Sequence, residues 1–199
     1  MSSVAANGQG DVFILVKGTD AQVLKSSDAG SNRTLAGRAA YTLNKIAFDH
    51  AAGYCIGHNG KTFRSTDNGS TWADAATLNA YYLNELAFWG GTGYCVANYL
   101  TIYQTTDNGV TWRFVRQSDF TSLSVQPLTA TSAVVFGAGR HSGGDYGTYD
   151  GSFKQTTTAG ATWTETELTN TASIQFASFY SATDGSAVAG QSLIRVHVK

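Results

Sequence analysis

The sequence predicts an all-β fold of about five four-stranded sheets, arranged as the blades of a β-propeller within one domain, 1–199. Three observations carry this. The phrase Ser65-Thr66-Asp67-Asn68-Gly69-Ser70-Thr71-Trp72 recurs as Thr105-Thr106-Asp107-Asn108-Gly109-Val110-Thr111-Trp112 and, in worn form, as Thr156-Thr157-Thr158-Ala159-Gly160-Ala161-Thr162-Trp163. The 199 residues include 22 glycines, one proline and only 14% charged residues, the make-up of a turn-rich domain. Between the phrases, apolar and polar residues alternate as in strands of packed sheets. Strand-rich units repeating about every 40 residues stack side by side.

Each unit is expected to hold three strands before the phrase and one after it. In the first unit, 1–40, a fainter copy, Ser26-Ser27-Asp28-Ala29-Gly30-Ser31-Asn32-Arg33, keeps the Asp and Gly but has Arg33 in the place of Trp. Its hairpin is expected to survive without its anchor. The segment 2–6 reads either as the innermost strand of this unit or as the outer strand of the last. The second unit, 41–82, has strands at 45–48, 53–57 and 62–66, with Thr71-Trp72 opening the fourth. The third, 83–121, repeats them at 86–88, 94–97, 102–106 and 111–115. The fourth, 122–171, carries an insertion between strands 133–137 and 152–155. The fifth, 172–199, offers 174–179, 186–189 and 193–198, and reaches Lys199 where its own phrase would start. A closed five-bladed ring removes most exposed sheet edges. An open arc of a larger propeller is the alternative.

The phrases resemble the Asp-box, or BNR repeat, S/T-x-D-x-G-x-T-W, of the sialidase and sortilin-like propeller superfamily. There the box is a structural turn, and the residues here read the same way. Asn68-Gly69 and Asn108-Gly109 supply the positive φ of a tight hairpin, and an Asp just before the turn accepts its N–H groups. Asp28, Asp67, Gly69, Trp72, Asp107, Gly109, Trp112, Gly160 and Trp163 are therefore structural, with the tryptophans expected to be buried. Resembled propellers more often have six or seven blades, so five blades depart from that pattern, and self-association into a homo-oligomer stands beside the open arc as an alternative to the closed ring.

A net charge of −1 and the absence of a long apolar run give no case for nucleic acid or membrane insertion. The first residues lack the basic and apolar regions of a signal peptide. No metal or cofactor is expected, because His50, His58, His141 and His197 show no ligand spacing. Cys55 and Cys95 occupy the same place in consecutive units and read as buried free thiols.

In a propeller the ligand face is usually built by the loops between second and third strands and between blades. The inserted segment lies there and contains Arg140, His141, Asp145, Tyr146, Tyr149 and Asp150, a set of rings, carboxylates and cations suited to a sugar or a peptide. His58, Tyr81, Tyr82 and Tyr99 fall on the same face. The sialidase resemblance implies an arginine triad, a Tyr/Glu nucleophile pair and an acid/base Asp. The Phe-Arg-Ile-Pro motif of that family is absent, the sole proline is Pro127, and glutamates are limited to Glu85, Glu165 and Glu167. The expectation is a non-catalytic binding or structural propeller, a phage head or tail component of the virion that contacts partner proteins or host glycans. The alternatives are a cytoplasmic assembly factor or scaffold, like the photosystem assembly propellers that share the repeat, and a sialidase-like glycoside hydrolase.

Overall fold

The structure is a computed structural model describing residues 3–98, 101–117, 121–138, 151–168 and 174–198. Five antiparallel sheets follow one another along the chain. The first contains β1 (Ser3–Ala6), β2 (Val12–Val16), β3 (Ala21–Ser26) and β4 (Thr34–Ala39); the second, β5 (Leu43–Asp49), β6 (Ala52–Gly57), β7 (Lys61–Ser65) and β8 (Ala73–Thr77). The third holds β9 (Leu83–Trp89), β10 (Thr92–Ala97), β11 (Thr101–Thr105) and β12 (Arg113–Gln117), and the fourth β13 (Thr121–Pro127), β14 (Ala133–Ala138), β15 (Gly151–Thr156) and β16 (Thr164–Leu168). The fifth has three strands, β17 (Ile174–Phe179), β18 (Asp184–Ala189) and β19 (Ser192–His197).

The period of two in each strand sends alternate residues to opposite faces, and in the second, third and fourth sheets each face meets a neighbouring sheet. β5 lies beside β1, β9 beside β5, β13 beside β9 and β17 beside β13. The core is consequently a series of seams. Phe13, Leu15 and Val23 of the first sheet meet Ile46, Cys55 and Phe63 of the second. Tyr54 and Ile56 meet Leu86, Cys95 and Tyr103 at the next seam, and Tyr94, Val96 and Ile102 meet Val125 and Val135 at the third. Val134, Phe136 and Phe153 close the last seam against Ile174, Ala187 and Val196. Both cysteines are free and fully buried within seams, as small apolar fillers.

The structure decides between two pairs of alternatives and corrects one expectation. The segment at the N-terminus pairs with β2 as the inner strand of the first sheet, so it does not supply a fourth strand to the fifth. The sheets form an open arc rather than a closed ring: among the described residues, β17 is not seated against β1 as the other inner strands are seated on one another. The tryptophans are half-buried, not buried, and the outer strands begin one residue after them, at Ala73 and Arg113. The reason is geometric, because each Trp packs against the residues of a seam from its edge. Trp72 packs edge-on to Phe13 and Phe48 and stacks with Phe63 at a centroid distance of 5.8 Å.

The box turns follow their chemistry. Asn68 (φ 58°) with Gly69 (φ 77°), and Asn108 (φ 56°) with Gly109 (φ 73°), are left-handed at both positions. Ser65 Oγ receives the Gly69 N–H at 2.9 Å, and Asp67 receives the Thr71 N–H at 2.9 Å and the Thr71 hydroxyl at 2.6 Å. Asp107 repeats this with Thr111. Trp72 and Trp163 each donate their indole N–H to the box glycine's carbonyl at 3.1 Å. In the first sheet the Arg33 guanidinium donates to the same place, Gly30 O, at 3.0 Å. The hairpin therefore keeps the hydrogen bond and loses only the ring.

Candidate functional site

At the end of the sheets opposite the box turns, three connections converge. The β6–β7 turn is tight because Asn59 (φ 54°) and Gly60 (φ 66°) are left-handed, and the Lys61 N–H donates to His58 O at 3.1 Å. Gly60 is required there, since a Cβ would stand 1.8 Å from Leu78 O. The β8–β9 connection crosses beside this turn, with the Asn59 N–H donating to Tyr81 O at 2.7 Å and the Leu78 N–H to Gly60 O at 2.9 Å. Asn98 at the end of β10 then fixes the tyrosine pair. Its Oδ1 accepts the Tyr81 and Tyr82 N–H groups at 3.1 and 3.0 Å, while its own N–H donates to Tyr82 O at 2.9 Å.

The result is a stair of rings on a rigid backbone. His58 and Tyr82 meet edge-to-face at 4.5 Å, and Tyr82 and Tyr81 meet in the same way at 4.5 Å. Tyr81 is 54% exposed and Tyr82 39%. A shallow hollow lined by Asn59, Thr77, Leu78, Asn79, Ala80 and Tyr81 runs alongside. The rings can stack on a planar group or an apolar side chain, while the phenol hydroxyls offer donors and acceptors at the water boundary. Exposed aromatics held this firmly lose little entropy on binding.

The structure thus brings together three of the expected site residues, His58, Tyr81 and Tyr82. Arg140, His141, Asp145, Tyr146, Tyr149, Asp150 and Tyr99 lie outside the described residues. Asn98 is the positioning residue that joins the cluster, and its signal in the sequence was its place at the end of a second strand, equivalent to His58. Glu85, below this end on β9, pairs with Lys45 Nζ at 2.6 Å, and burial raises its carboxyl despite that cation. Glu165 accepts from Lys154 Nζ at 2.7 Å and from the Ser152 hydroxyl at 3.0 Å. Both glutamates are held by neighbouring side chains.

The box face carries a further polar residue, Arg64. Arg64 places its guanidinium over the Tyr54 ring at 5.9 Å and lines two hollows, one with Trp72, Asp74 and Val110, the other with Asp49, Gly91 and Asn108. Its buried Nε has no hydrogen-bond partner among the described residues. The sequence signal is parity: Arg64 alternates with Phe63, so it points away from the seam that Phe63 fills.

Comparison with known proteins places the chain. A family model described as photosynthesis system II assembly factor YCF48 matches residues 39–193. The chain belongs to that family. No curated protein matches the sequence. Among solved structures, "YCF48 bound to D1 peptide" is similar at TM-score 0.54 and 12% identity, covering 99% of this chain and 92% of that one. A GH74 enzyme of Niastella koreensis gives TM-score 0.58 and 16% identity over 98% of this chain and 44% of the enzyme. The WD40 β-propeller domain of Doa1 gives TM-score 0.74 and 9% identity over 98% of this chain and 64% of that chain. At these identities the likeness establishes a propeller fold. Family membership favours the assembly-factor expectation over the virion one.

Proposed function

We propose that this chain is an intracellular assembly factor that holds a segment of a partner protein on its propeller surface, without catalysing a reaction. Membership of the YCF48 family carries this reading, supported by a similar structure described as YCF48 bound to a D1 peptide. The contact proposed is the ring stair of His58, Tyr82 and Tyr81, with the adjoining hollow taking an apolar side chain of the segment. The ion-paired states of Glu85 and Glu165 support the non-catalytic part, because neither carboxylate is left open to activate a nucleophile or water.

The test is binding to an array of overlapping peptides covering the D1 protein. The wild-type chain is expected to bind a subset, and the Tyr81→Ala, Tyr82→Ala double variant to bind that subset at least about tenfold more weakly, a loss of about 1.4 kcal/mol. Its melting temperature should hardly change, since both rings are outside the seams. Binding unaffected by the double variant would move the site elsewhere. No bound peptide at all, together with sugar release from a sialoside, would favour a hydrolase.

A further inference from the structure

The two ends of the arc carry the two halves of a seam. In every internal seam a row on the leading face of one sheet, such as Ile46, Cys55 and Phe63 of the second, is buried against the sheet before it. The matching row of the first sheet is Val4, Ile14, Leu24 and Leu35, paired strand to strand across all four strands. Among the described residues no sheet packs in front of it, and Val4 is 57% exposed where its counterparts Ile46, Leu86 and Val125 are buried. At the other end, the trailing face of the fifth sheet presents Phe176, Val188 and Leu193 as one cross-strand row. Phe176 is 64% and Leu193 76% exposed. Apolar rows this contiguous on both ends of one molecule mark contact surfaces rather than scattered surface residues.

The ends also match in what they lack. Trp72 rests on Gly37 of β4, so the box anchor of one sheet needs the fourth strand of the sheet before it. Trp112 and Trp163 share clusters with Ala76 of β8 and Val115 of β12 in the same way. Among the described residues the fifth sheet holds three strands, and the first sheet has Arg33 where the other boxes have tryptophan. A first sheet set against a fifth sheet would therefore miss no partner that an internal seam possesses.

We propose that the end faces bind each other between copies of this chain, the first sheet of one molecule packing on the fifth sheet of the next. The contact is head-to-tail, so it generates a ring where the rotation closes and a filament where it does not. It is independent of the peptide-binding proposal and uses different residues. The test is the mass of the 199-residue chain in solution by light scattering over a wide concentration range. Wild type is expected to exceed the mass of one chain. Val4→Glu blocks one end, and Phe176→Glu with Leu193→Glu blocks the other. All three positions are exposed, so melting curves should show both variants folded. Either variant alone should be monomeric, and an equimolar mixture should form dimers and nothing larger, because each supplies the intact end that the other lacks. Wild type that stays monomeric overturns the proposal, as does a variant that assembles like wild type or a mixture that remains monomeric.

Discussion

Asp67 and Asp107 show how one carboxylate can hold a turn. Each accepts from the N–H and the hydroxyl of the Thr four residues on, and these bonds lower its pKa to about 2 from the ordinary 3.8. Because the folded value lies below the unfolded one, the stabilisation is complete above the unfolded pKa and is lost as pH falls through the folded one. Resistance to urea unfolding is therefore expected to fall as pH drops from 3.8 to about 2, and Asp67→Asn should flatten part of that slope. The exposed setting limits the effect to about 1 kcal/mol per carboxylate. Asp67→Ala at neutral pH should cost about 1–3 kcal/mol, because turn N–H groups lose their acceptor. Both aspartates, and the glycines after them, were legible in the sequence, since a box turn is fixed by residues four apart. Arg33 was legible only as a loss. That its guanidinium would reach the same carbonyl as an indole N–H required the folded turn.

Between sheets, Gly69 and Gly109 are contact points as well as turn residues. A Cβ on Gly69 would stand 2.3 Å from Phe13 of the preceding sheet, and one on Gly109 would stand 2.5 Å from Tyr54. Gly30, in the first sheet, has nothing within 4 Å. The same substitution should therefore have unequal effects. Gly30→Ala bears only the strain of its positive φ, about 1 kcal/mol, whereas Gly69→Ala adds overpacking of about 1–3 kcal/mol more. Chemical denaturation of the two variants checks this, and equal losses would contradict the seam geometry. Strand order and the three-strand-then-turn plan were readable from alternation and repeat spacing. The half-exposed tryptophans were not, because a residue's place on a seam rim depends on the neighbouring sheet, which spacing along one chain does not reveal. The ring stair was visible only as separate polar and aromatic loops; the Asn98 side chain that locks it bonds backbone groups sixteen and seventeen residues away.

Across the whole molecule, an open arc behaves as a linear array in which each sheet is stabilised by its immediate neighbours. Among the described residues the third sheet has two, while the first and fifth have one each. Amide hydrogen exchange should thus be slowest in β10 and β11 and faster in β2, β3, β18 and β19, with the three-stranded fifth sheet exchanging soonest. Uniform protection from end to end would point to a closed ring or to saturated self-association. Openness itself was the least legible property of the sequence. The segment 3–6 suits either end by composition, and only its pairing with β2 decides between them.

The two thiols turn this architecture into a clock. Cys55 is enclosed between the first and second sheets and Cys95 between the second and third, and burial raises both thiols above the ordinary range. Neither can react with a disulfide reagent until its own seam parts. Labelling kinetics of the unaltered protein would then time two adjacent partings separately, with no probe introduced. Cys55, one sheet from the arc's end, is expected to react before Cys95.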